Sequence, residues 1–121
     1  MGATAAPGPW TIEEKRMEVN VSVAAQRKGK QVSYTLTLEA EVFEVNIHIP
    51  GDEAEELKLV ASSRWEDGSM QIGESAGVPV FWSTDEGMVA ILVGADDENW
   101  DIALSVPVET MERIIKAVSN A

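Results

Sequence analysis

His48 is the only histidine of the chain, and it shares the polar side of the segment Phe43 to Ile49 with Glu44 and Asn46. A strand places i and i+4 side chains on one face but roughly 13 Å apart at about 3.3 Å per residue, so Glu44 cannot act on His48 directly. No G-x-S-x-G, G-x-x-x-x-G-K or H-E-x-x-H pattern accompanies the histidine. The chain also has no cysteine, which removes thiol nucleophiles, disulfides and zinc–thiolate centres together. The densest group of carboxylates lies in Gly94 to Asp101. There Asp97, Asn99 and Asp101 match the opening ligands of a calcium loop, but Ile102 stands where that loop needs glycine and Val108 where it needs the closing glutamate. Adjacent acids such as Asp85 and Glu86 do not face each other across a substrate, as glycoside hydrolysis requires. We therefore expect no enzyme: no catalytic residue, no metal and no cofactor.

Binding is the remaining class, and charge narrows it. The 121 residues carry 21 acids against 9 bases, a formal charge of -12 that disfavours nucleic acid and anionic membranes as partners. The imbalance is local. Residues 1 to 38 hold Lys15, Arg16, Arg27, Lys28 and Lys30 against Glu13, Glu14 and Glu18, whereas Trp65 to Asp101 contains nine acids and no lysine or arginine. Three of the four tryptophans fall inside that base-free span. Trp82 is in phase with Val78 and Val80, and Trp100 with Ile102 and Leu104, so both read as core. Phe81 then points to the face opposite Trp82. Trp65 has no apolar periodicity around it and reads as an interface anchor.

The expected function is accordingly a small acidic, non-enzymatic protein-binding module for a basic partner. By size and charge alone it compares with a small bacterial inhibitor, an immunity-type protein or a secretion chaperone. The candidate partner-binding residues are Trp65, Glu66, Asp67, Phe81, Asp85, Glu86, Asp96, Asp97 and Glu98. The alternative is a small-ligand-binding protein whose curled sheet encloses an apolar pocket lined by Tyr34, Phe43, Trp82 and Met88.

The elements that must position these residues follow from periodicity. Residues 1–9 are small and turn-forming and are expected to be disordered, leaving 10–121 as a single α+β domain. Met17 to Gln26 alternates strictly and pairs, across a Gly29-containing loop, with a second alternating run from Val32. The apolar positions of that run switch from even to odd near Val42 and Phe43, which predicts a β-bulge or sharp bend there. Asp52 and Glu55 resemble a capping box, yet Leu57, Leu59 and Ala61 alternate. Between helix and strand for 53–60 the strand is slightly favoured. Met70 to Glu74, Val78 to Ser83 and Met88 to Val93 read as a meander, the last buried on both faces and central in the sheet. Pro107 opens a C-terminal helix with Val108, Met111, Ile114, Ile115 and Val118 as its apolar stripe, supported by Glu109–Arg113 and Glu112–Lys116 pairs.

The expected fold is α+β: a curved, mainly antiparallel sheet of about six or seven strands with one C-terminal amphipathic helix packed on it. One helix cannot cover both faces, so either the sheet curls into a half-barrel or a homodimer closes it. No apolar run is long enough to span a membrane, and the opening residues lack the basic and apolar regions of a signal peptide, so a cytoplasmic protein is expected.

Overall fold

The computed structural model describes residues 19–64, 66 and 68–121. The expectations for residues 1–18, and for Trp65 and Asp67, lie outside the described residues. Seven antiparallel strands follow one another in chain order across a single sheet: β1 (Asn20–Lys28), β2 (Gln31–Ala40), β3 (Phe43–Pro50), β4 (Met70–Ser75), β5 (Val78–Asp85), β6 (Met88–Gly94) and β7 (Trp100–Pro107). A short helix α1 (Gly51–Ala54) and a 3₁₀ segment (Glu55–Ser62) connect β3 to β4, and helix α2 (Val108–Asn120) closes the chain. α2 touches both β1 and β7, the first and last strands, as well as β2 and β6. A helix can reach both edges only if the sheet curls around it, so the curved α+β fold is formed. Among the described residues β1 and β7 do not pair, and the sheet stays open.

Alternation builds the inner face. Leu36, Leu38, Ile47, Ile49, Ile72, Val80, Trp82, Val89 and Ile91 are fully buried, and Met111, Ile114 and Val118 of α2 complete the same cluster. Trp82, the largest of these side chains, donates its indole Nε1–H to the Ile72 carbonyl at 2.9 Å, so the core aromatic leaves no buried donor unpaired. The stripe of α2 therefore holds the helix in place. Its expected charge pairs do not: Arg113 donates Nη2–H to the Val19 carbonyl at 2.9 Å, and among the described residues the ion pairs are Lys58–Glu55 and Arg64–Glu66, both exposed.

Four expectations are corrected. The parity switch at Val42 and Phe43 is a full reversal of the chain, not a bulge: Ala40 pairs with Phe43 across the two-residue turn Glu41–Val42. Residues paired across such a turn share a face while differing in parity, so the switch is the signature of a tight hairpin. Neither Glu41 nor Val42 has a positive φ, so the turn needs no glycine and carries no turn signal. Residues 53–60 are helical, not a strand. Ala54, Leu57 and Val60 are buried at intervals of three while Leu59 is exposed, the period of a 3₁₀ helix. Pro50 caps α1 without a side-chain bond, and Glu55 binds Lys58 instead of closing a capping box. β6 is indeed buried along most of its length but lies sixth of seven, next to the edge. Its outward Leu92 is buried beside Phe81 and Ala103, its partners in β5 and β7. Trp100, finally, is 48% exposed rather than core. The β6–β7 register shifts between Val93 and Gly94, so Trp100 aligns with Gly94 and leaves the face that Ile102 and Leu104 share.

The sheet has one weak seam. β3 and β4 are paired at a single position, His48 with Glu74. Beside it the β4–β5 register shifts between Gln71 and Glu74, and Gly73 sits in the shift with φ 77°. Its N–H donates to Glu53 Oε1 at 2.9 Å, so α1 supplies the partner that the irregular ladder withholds.

Candidate functional site

A meander sends alternate connections to opposite ends of the sheet. The turns Gly29–Lys30 and Glu86–Gly87 lie at one end, and the turns Glu41–Val42 and Ala76–Gly77 with the loop 95–99 lie at the other. This alternation divides the predicted acidic face. Asp85 and Glu86 belong to the first end, where Glu86 holds a turn position at φ 49°. Asp96, Asp97 and Glu98 belong to the second. The seven residues of β6 separate them, about 20 Å at the rise of a strand.

Loop 95–99 is built by its own acids. Asp96 Oδ1 accepts the backbone N–H groups of Glu98 and Asn99, both at 2.8 Å, and the Asn99 amide at 3.0 Å. The Glu98 N–H above all, then the Asn99 side chain, hold the Asp96 carboxyl below its usual range. Asp97 Oδ2 accepts from Ser69 Oγ at 2.8 Å, half-buried, tying the loop to the segment that leads into β4. This bond brings the loop and the neighbourhood of Glu66 together. Glu66 itself is exposed and paired with Arg64 at 3.2 Å. Glu98 is left with its carboxylate in solvent, as is Asp101 at the start of β7.

The apolar candidates separate as well. Phe81 is half-buried on the outer face, opposite Trp82. Of the four residues expected around an apolar pocket, Trp82 is fully packed and Met88 is exposed at the start of β6. Tyr34 lines a depression of about 240 Å³ between the C-terminal turn of α2 and the 3₁₀ segment. Phe43 lines a groove of about 140 Å³ with Val19 and Ala103 to Pro107.

That last groove marks what sequence reasoning missed. It joins the start of β3 to β7, and an exposed apolar spot adjoins each of these walls along the chain. Val42, 76% exposed, precedes Phe43, and Trp100 and Ile102, 48% and 42% exposed, precede Ala103. The exposed Glu41 and Glu44 flank the first spot along the chain, and the exposed Asp96, Glu98 and Asp101 the second. Arg113 donates to the carbonyl of Val19, which lines this groove. Exposed apolar groups ringed by one sign of charge are a contact surface for the opposite sign. The available signal was Val42 in a turn with acids around it; the rest required the curl of the sheet.

At the opposite end, a polar cleft of about 630 Å³ is lined by Gln26, Lys28, Lys30, Ser33, His48 and Asp52 among others. Its charged side chains are all exposed. Among the described residues no three of His, Asp and Glu converge to hold a metal ion, and no helix is long and apolar enough to cross a membrane. Compared with known proteins, the chain matches no family model, no curated protein and no solved structure.

Proposed function

We propose that the protein is a non-enzymatic binding module for a basic protein, and that it engages this partner at the end of the sheet formed by the β2–β3 turn, loop 95–99 and the start of β7. The observation that carries the reading is the exposure of Trp100 and Ile102 next to the exposed carboxylates of Asp96, Glu98 and Asp101 in the chain. An exposed tryptophan of this kind supplies a large apolar contact, and the carboxylates select a cationic partner and speed its approach. The reading takes Trp100 as the anchor where the sequence offered Trp65, leaves out Asp85 and Glu86, and retains Asp96, Asp97 and Glu98. An apolar-ligand pocket draws less support, because the inner face is filled by Trp82, Met111 and Ile114.

The test is calorimetric titration with a peptide of alternating lysine and valine, against a glutamate–valine control, at low and high salt. The lysine peptide binds at low salt and weakens about tenfold or more on going to about 0.5 M, because screening shortens the reach of exposed charges. Trp100→Ala and the pair Glu98→Lys with Asp101→Lys each reduce binding severalfold without lowering the thermal midpoint. Equal affinity for the two peptides, or affinity indifferent to salt, overturns the reading.

A further inference from the structure

We infer that the partner contributes an extended basic segment that adds to the sheet as an eighth strand along the open edge of β7. This rests on the reading of the protein as a basic-partner module and states how the partner is held.

The backbone identifies which groups of β7 are free to pair. Val108 donates its N–H to the Gly87 carbonyl at 3.1 Å, which makes Gly87 and Val108 a hydrogen-bonded pair of the β6–β7 ladder. In an antiparallel ladder such pairs alternate with pairs whose N–H and C=O point away from each other. The register aligns Val89 with Val106, Ile91 with Leu104 and Val93 with Ile102, so these continue the bonded set. Ala103 and Ser105, aligned with Leu92 and Ala90, therefore turn their N–H and C=O groups to the outer edge. Among the described residues no strand takes them up.

Among the described residues the edge is also uncovered. Six of the eight residues of β7 are exposed, and Ala103 to Pro107 form one wall of the groove whose other wall is Val19 and Phe43. Edge strands are usually protected by lysine, by a bulge or by a covering element. β7 carries no lysine; its one irregularity, the register shift that leaves Asp101 as an extra residue between Trp100 and Ile102, lies at its start, and its one proline, Pro107, at its far end, so the edge from Ile102 to Val106 is regular. An arriving strand finds paired donors and acceptors at Ala103 and Ser105, and the exposed Ile102 offers its apolar side chains a contact on one face. Its remaining side chains meet Asp101, Glu98 and Glu44, which makes them lysine or arginine. Charge thus selects a basic segment over a second copy of this acidic chain, whose own β7 would bring its carboxylates against these.

The experiment follows the amides of Ala103 and Ser105 by hydrogen exchange in NMR, with the lysine–valine peptide as probe. Both exchange freely in the isolated protein and become protected when peptide binds, whereas the Leu104 amide is protected throughout. Ala103→Pro removes an outward donor without touching the bonds to β6, and it lowers affinity about tenfold while the β6–β7 amides stay protected. As a check independent of any variant, a peptide N-methylated at every second residue loses affinity when the methyls face β7 and keeps it when they face away. Binding that leaves Ala103 and Ser105 unprotected overturns strand addition and leaves the basic-partner reading standing. No binding at low salt overturns both. Protection of both amides already present in the free protein overturns strand addition by a partner, because the edge is then occupied by the chain itself or, if protection grows with concentration, by a second copy.

Discussion

Asp96 accepts three hydrogen bonds on one carboxylate oxygen, and its work is to shape the loop from which Glu98 faces solvent. Its depressed pKa fixes the direction of the pH effect. Unfolded, the group takes up its proton at an ordinary carboxylate value near 3.9; folded, it does so lower. The order it confers is complete above the unfolded value and is lost as pH falls through the folded one. The Glu98 and Asn99 amide signals therefore stay in place from neutral pH to about pH 4.5 and move only in stronger acid; Asp96→Ala displaces them at neutral pH. Trp82 is the corresponding residue of the core. Trp82→Phe leaves the Ile72 carbonyl without its donor and opens a small void, and urea unfolding should register a loss of about 2 kcal/mol.

At the scale of elements, tight turns and one irregular strand carry the geometry. Ala76–Gly77 and Glu86–Gly87 have positive φ at both central residues, 51° and 83° in the first and 49° and 80° in the second, the type I′ form that suits the twist of a hairpin. Glu86 adopts this conformation at a cost that asparagine escapes. Glu86→Asn should raise stability by about 0.5 kcal/mol in chemical unfolding, and it should leave binding of the basic peptide unchanged because it lies at the other end of β6. Gly73 has the opposite sensitivity. At φ 77°, with a Cβ falling 2.7 Å from the His48 carbonyl oxygen, it admits no side chain unless β3 and β4 separate at their one paired position. Gly73→Ala should cost more than about 2 kcal/mol.

Over the whole molecule, charge opposes folding and serves association. Among the described residues the two ion pairs are exposed, and such pairs contribute little. The net charge of -12 instead repels itself in the compact state. Added sodium chloride should therefore raise the thermal unfolding midpoint while weakening the basic peptide, two opposite salt responses from one charge distribution. A midpoint that falls with salt would show that attractive surface pairs dominate.

Periodicity by itself determined the strands, the stripe of α2 and the burial of Trp82, because a period of two or of 3.6 expresses which side of an element meets the core. It also marked the reversal at Val42 through the change of parity, although a turn without glycine left a bulge as the nearer reading. The 3₁₀ segment escaped because Leu57, Leu59 and Ala61 fit a strand as well as Ala54, Leu57 and Val60 fit a threefold helix, and only the neighbours of each residue decide between them. The candidate site was legible in its chemistry and not in its place. Acidity and tryptophan are properties of the chain, whereas the exposure of Trp100 depends on the shift of the β6–β7 register that takes it off the face of Ile102. The approach of Phe43 to Ala103 depends on the curl that brings the first strands beside the last. Such juxtapositions arise between residues some sixty positions apart, and no local pattern records them.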